Sequence, residues 1–182
     1  MPFETIIRHC APTLAGMKVG SLFSYRFSCK KEILDDIKKR NELLNSRGIY
    51  FKILKMYDNF ALIYVFRRKK LEEILENAEI RDFLSQNGYY AFDLEKALEI
   101  LEENLKANDF PHEIGVFLDY PLSDIKAFIE FKGANPKYVG CWKAYSNEDC
   151  ARKITEKFKK CTNVYCKKFA EGTDIIRLTV AC

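Results

Sequence analysis

His9 and Cys10 stand side by side at the head of the segment His9-Cys10-Ala11-Pro12-Thr13-Leu14-Ala15-Gly16-Met17-Lys18. A thiolate is a nucleophile and a soft metal ligand, and a neighbouring imidazolium favours it below the ordinary thiol pKa of about 8.5. The chain's other histidine, His112, is followed at once by Glu113. If these two stretches meet, His9, Cys10, His112 and Glu113 offer two nitrogens, a sulfur and a carboxylate, a donor set suited to zinc or iron. The plainer reading makes Cys10 a small apolar core residue and His9 a hydrogen-bonded side chain. The pair matches none of the specific cysteine signatures.

A third stretch, Gly140-Cys141-Trp142-Lys143-Ala144-Tyr145, places a lysine among apolar residues. On a strand, side chains alternate between faces, so Cys141, Lys143 and Tyr145 share one face and Gly140, Trp142 and Ala144 the other. Lys143 then either leaves through a sheet edge or points into a polar pocket. Trp142 reads as a core anchor that needs a partner for its N–H. The candidate pocket drawn from these stretches is His9, Cys10, Lys18, His112, Glu113, Tyr120, Cys141 and Lys143. In it the lysines would hold an anionic ligand, and no residue is assigned a catalytic role. The chain contains no Gly-rich phosphate loop, Walker-type lysine loop or G-x-S-x-G elbow.

The elements that must position these residues follow from periodicity and punctuation. Pro12 disfavours a helical Ala11, so 9–16 is expected as a loop or broken helix after a short segment at 3–8. A strand is expected at 21–27, then a helix over 29–45 capped by Ser28 and stopped by Gly48. Asp58-Asn59 predicts a tight hairpin joining strands at 50–57 and 60–67. Centred there, it pairs Tyr57 with Phe60, Lys55 with Leu62, Ile53 with Tyr64 and Phe51 with Phe66. Both faces of this hairpin are apolar, so it should lie in a sheet covered on two sides. Helices follow at 69–87, stopped by Gly88, and at 94–107, capped by Asp93. A loop is expected at 109–113, a short strand at 114–118, and a helix at 122–132 opened by Pro121 and closed by Gly133. The remainder reads as a strand at 138–145, a helix opened by a Ser146–Asp149 capping box, and a last strand at 174–180. On that late helix Cys150, Ile154, Phe158, Cys161 and Tyr165 share a face expected to be core. The fold class expected is α/β or α+β: a single mixed sheet of about five strands with helices packed on it and the hairpin at 50–67 central. One globular domain, 1–182, accommodates the whole chain.

Composition limits the function. The chain has 182 residues, 48% hydrophobic and 14% aromatic, enough apolar area for a packed core rather than a disordered chain. The longest apolar run, 60–66, is seven residues, against roughly 20 for a membrane-spanning helix. Glu4 and Arg8 interrupt the N-terminus, leaving no signal-peptide core, so a cytoplasmic protein is expected. Seven cysteines, Cys182 among them, show no regular spacing and are expected as free thiols. The net charge of +4 is the balance of a basic 1–70 (+9), an acidic 71–135 (−10) and a basic 136–182 (+5). An acidic middle neutralising basic flanks fits this better than a nucleic-acid patch. The aromatic hairpin invites comparison with RNA-binding sheets but lacks their basic-Gly-aromatic-Gly opening.

The His9–Lys18 stretch, His112-Glu113-Ile114-Gly115-Val116-Phe117-Leu118-Asp119-Tyr120-Pro121, and Gly140-Cys141-Trp142-Lys143-Ala144-Tyr145 together resemble the marks of a bacterial family of uncharacterised proteins, a domain of unknown function. The resemblance runs over nearly the whole chain. It implies Gly where this sequence has Asp119, a position where Asp imitates a turn glycine only at some cost. It implies a link to metal or redox physiology and assigns no residue. The expectation is a small-molecule or metal site near the His9-Cys10 loop. The alternatives are a protein-interaction module and, third, nucleic-acid binding.

Overall fold

The computed structural model describes residues 1–107 and 110–181; Asp109, from the expected loop, and Cys182 lie outside the described residues. Strands β1 (Gly20–Arg26), β2 (Ile49–Met56) and β3 (Phe60–Arg67) form an antiparallel sheet in spatial order β1-β3-β2. Helices α1 (Phe3–Leu14) and α2 (Lys30–Leu44) flank β1 in sequence, and a 3-10 turn (Asn45–Arg47) leads into β2. After β3 come α3 (Arg68–Glu76), α4 (Ala78–Gln86), α5 (Leu94–Lys106), the single turn α6 (Ile114–Phe117) and α7 (Leu122–Glu130). A separate two-stranded ribbon, β4 (Tyr138–Val139) with β5 (Lys143–Ala144), precedes the long α8 (Glu148–Ala170) and the short α9 (Ile175–Leu178).

The central strand explains the layering. Side chains alternate along β3, so Ala61, Ile63 and Val65 enter one core with Ile6, Cys10 and Leu14 of α1 and Ile33 and Ile37 of α2. Tyr64 and Phe66 enter the other, with Leu71 of α3, Leu84 of α4, Leu98 of α5, Phe117 of α6 and Ile125 of α7. The sheet is covered on both faces, as its two apolar faces require. Tyr64 is fully buried and its hydroxyl donates to the Phe117 carbonyl. Tyr64, on the central strand, therefore presents no exposed face of the kind on which RNA-binding sheets stack bases.

Several expected elements change. Among the described residues there is no single five-strand sheet, because three expected strands are something else. Residues 114–118 and 174–180 hold α6 and α9, short apolar runs whose periodicity does not separate strand from helix. Residues 138–145 fold back on themselves, pairing Tyr138 with Ala144 and Val139 with Lys143. The stretch 9–16 is helical through Leu14 with Pro12 inside α1, tolerated in the last turn, where the Pro12 carbonyl accepts from the Met17 and Lys18 amides. The helix expected over 69–87 breaks at Asn77, whose side chain caps α4 by accepting from the Glu79 and Ile80 amides. Asn147 rather than Ser146 caps α8, and Cys29 rather than Ser28 is the N-cap residue of α2. On α8, Cys150 is exposed and Ile154, Phe158, Cys161 and Tyr165 are half-buried, so the expected core face is only partly covered.

The hairpin turn is where it was expected, with Lys55 opposite Leu62, but a bulge between Ile53 and Lys55 shifts the register beyond it. Ile53 faces Ile63 and Phe51 faces Val65. The extra residue turns Phe51 and Ile53 to the α1–α2 face, where Tyr64 and Phe66 are absent. The charge blocks meet along α5, where Lys52 of β2 bonds Glu102 at 2.6 Å and Arg68 of α3 bonds Glu95 at 2.7 Å. The described cysteines are free. Among the described residues no helix is long and apolar enough to cross a membrane.

One glycine permits the closest approach of β1 to the α6 layer. A Cβ on Gly20 would lie 2.5 Å from Tyr64 Cε2 and 2.7 Å from the Phe117 carbonyl oxygen. Neither neighbour can retreat, one being a buried ring and the other backbone. Gly20→Ala is expected to lower stability by about 2–3 kcal/mol in denaturant unfolding, the range for an overpacked core. An unchanged unfolding midpoint would contradict this packing.

Candidate functional site

Consecutive residues on a helix point about 100° apart, and this separates His9 from Cys10. Cys10 is 0% exposed in the α1–α2 core, and burial pushes its thiol far above the usual range against the opposing effects of Lys18 and Ser21. His9 faces outward with its ring stacked on Phe23, centroids 4.8 Å apart. Burial and then the Arg8 charge lower its pKa, which disfavours the imidazolium. Glu113 is buried and turned away, accepting from Asn104 Nδ2 at 2.8 Å and Tyr89 Oη at 3.5 Å. The zinc or iron set of His9, Cys10, His112 and Glu113 is therefore not assembled. Among the described residues no three His, Cys, Asp or Glu side chains form a group that could hold a metal ion.

The other expected residues do come together, in neighbouring cavities along the edge of β1. One cavity of about 350 Å³ is walled by His9, Pro12, Lys18, Cys141, Phe158 and Lys159, between α1 and α8. A second, about 370 Å³, shares Lys18 and Phe158 with it and adds Met17, Asp119, Tyr120 and Trp142. A third, about 290 Å³, shares Tyr120 and Trp142 with the second and is closed by His112, Ile114, Phe128 and Lys143. Cys10 and Glu113 line none of the three.

Lys18 and Tyr120 form the junction. The Lys18 ammonium lies over the Tyr120 ring, 5.2 Å from its centroid. Burial lowers the Lys18 pKa, opposed by Cys141, Cys10 and Asp119. The Tyr120 ring stacks on Trp142 at 5.6 Å, and its hydroxyl donates to the Cys141 carbonyl at 3.0 Å. Burial, and then Cys141, push that phenol up to about 12. Lys143 crosses Phe128 at 5.6 Å and donates to the Gly133 carbonyl at 2.8 Å, so it turns along the wall of the third cavity. The His112 ring meets the same Phe128 ring at 66°, centroids 4.9 Å apart.

Backbone geometry at Asp119 shapes the junction. Its φ is +61°, the left-handed region where glycine is at ease and Asp is among the more tolerant alternatives. This is the position at which the resemblance implied Gly. Burial raises the Asp119 pKa, while Lys70, Lys18 and the Val19 amide lower it.

Asp124 was not among the expected residues, yet it holds the β4–β5 ribbon against α7. Its Oδ2 accepts from Trp142 Nε1 at 2.7 Å. Its Oδ1 accepts from the Tyr145 amide at 2.9 Å and from the Ser146 amide and hydroxyl, both at 2.8 Å. Burial alone would raise its pKa, but these donors outweigh burial and hold it below the usual carboxylate range. With so many donors engaged, Asp124 orients Trp142 rather than abstracting protons. Two signals were present in the sequence: a tryptophan in need of an acceptor, and an aspartate in the first turn of a helix after Pro121. Neither says that residues 18 apart meet.

A family described as "Protein of unknown function (DUF3793)" matches residues 6–179. No curated protein and no solved structure matches the chain.

Proposed function

From the premise that the chain belongs to the DUF3793 family of proteins of unknown function, we propose that it binds a small organic molecule at the Lys18–Tyr120–Trp142 junction. The observation that carries this reading is convergence. Stretches around residues 18, 112–120 and 141–143 wall adjoining cavities on one edge of the sheet. Their make-up is that of a ligand site, mostly apolar and aromatic walls with a few placed polar groups. Phe128, Tyr120 and Trp142 accept a flat or apolar body. Lys18 and Lys143 complement a carboxylate or carbonyl oxygen at its end.

Trp142 is the only tryptophan in the chain, so its emission reports on this site alone. Titration with benzoate, phenylacetate and hexanoate is expected to give a saturating change with at least one aromatic acid. Tyr120→Ala removes the stacked partner, worth about 0.5–1.5 kcal/mol, and should weaken that binding by about three- to ten-fold. A response that stays linear in concentration for all three acids would contradict the reading.

A further inference from the structure

We propose that the Lys18 amine captures carbonyl compounds, forming an imine with an aldehyde or ketone on a small aromatic molecule seated in the cavity walled by Tyr120 and Trp142. The inference rests on the reading of these cavities as a small-molecule site and adds a chemical class and a covalent step. Of the other lysines lining these and adjacent cavities, Lys143 donates to the Gly133 carbonyl at 2.8 Å and Lys70 to the Gly16 carbonyl at 2.6 Å, while Lys157 and Lys159 are exposed on α8. Lys18 differs. Among the described residues its Nζ makes no hydrogen bond and no ion pair, and it lines two of the cavities. The Tyr120 ring fixes its position from one side.

The groups around it suit imine formation. Burial lowers the Lys18 pKa, and each unit of lowering gives tenfold more neutral, nucleophilic amine at neutral pH. That route to an activated lysine, desolvation in an apolar pocket, is general. The amine lone pair forms a bond to the carbonyl carbon, the C=O π pair moves to oxygen, and one nitrogen proton passes to that oxygen to give a carbinolamine. The hydroxyl then takes a proton from a nearby acid and leaves as water while the nitrogen lone pair forms C=N, and the acid's conjugate base takes the second nitrogen proton; nothing is oxidised or reduced. Departure of the hydroxyl needs a proton donor. Asp119, next to Tyr120 and electrostatically coupled to Lys18, has its pKa raised by burial and suits that role.

The test treats the native protein with limiting benzaldehyde and sodium cyanoborohydride at neutral pH, which reduces any imine to a stable benzylamine, and maps the label by peptide mass. Lys18 should carry more label than exposed Lys30, Lys106 and Lys167, and excess benzoate should suppress the label at Lys18 only. Label at Lys18 no higher than at those exposed lysines would overturn the inference. If benzoate still saturates the Trp142 response in that case, imine capture alone has failed. If it does not, the small-molecule reading falls with it.

Discussion

Asp124→Ala is expected to lower the stability of the protein by about 3–4 kcal/mol and to dismantle the aromatic wall of the site. Asp124 accepts from Trp142 Nε1, the Tyr145 amide, and the Ser146 amide and hydroxyl, all within 2.9 Å. Hydrogen bonds to a charged group contribute about 1.5–3 kcal/mol each, and losing several of one cluster is less than additive. Trp142, released from α7, should show red-shifted emission and no longer stack on Tyr120. Asp124→Asn should cost about half as much, since Oδ1 can be kept while an amide N–H₂ meets the indole N–H. The folded-state pKa of Asp124 lies below its ordinary value. Its contribution is thus complete above the unfolded-state pKa of about 3.9 and disappears as pH falls through the lower folded-state value. The wild type should lose that increment of stability on acidification below about pH 4, and Asp124→Asn should lose correspondingly less. An Asp124→Ala variant within about 0.5 kcal/mol of wild type, the range of ordinary surface substitutions, would contradict this account.

Arg67→Met is expected to cost about 3–5 kcal/mol, because Arg67 ties three parts of the chain together. The side chain is fully buried at the end of β3. It donates from Nε to the Thr13 carbonyl at 2.6 Å and from Nη2 to the carbonyls of Leu14 at 2.6 Å and Val180 at 2.9 Å. Two of those carbonyls end α1, where the helix dipole favours a cation. A methionine fills the volume and leaves the carbonyls without these charged donors. Arg67→Lys should recover only part of the loss, since one ammonium cannot reproduce the guanidinium fork. Hydrogen exchange should quicken at the Met17 and Val180 amides, which bond the Pro12 and Leu14 carbonyls. An Arg67→Met midpoint equal to wild type would show that these contacts do not carry the C-terminal docking.

The sequence made local structure legible where one residue decides it. Asp93 caps α5, Gly133 takes a left-handed φ after α7, and the Asp58-Asn59 turn lies where its residue types require it. It misled where a short apolar run had to be assigned a period. Ile114–Phe117 and Ile175–Leu178 are helical turns because their neighbours hold them so, which no four-residue pattern reveals. The bulge at Ile53 was equally invisible, since an alternating apolar strand tolerates a one-residue slip when both faces are buried. At the site, Lys143 was legible as a lysine among apolar residues, and Lys18, Tyr120 and Cys141 came with the stretches that carry them. Cys10 and Glu113 were not separable from them, because adjacency in sequence says nothing about which way a helix turns its next side chain. Asp124 could be found only in three dimensions.

The central claim is that three stretches far apart in the sequence form one small-molecule site. Chemical-shift mapping with benzoate on uniformly ¹⁵N-labelled protein tests it most directly. The account predicts that the amides of residues 16–18, 115–120 and 140–143, with the Trp142 indole N–H, shift together along one saturation curve. Shifts scattered over the surface, or confined to one stretch while the indole stays still, would contradict it.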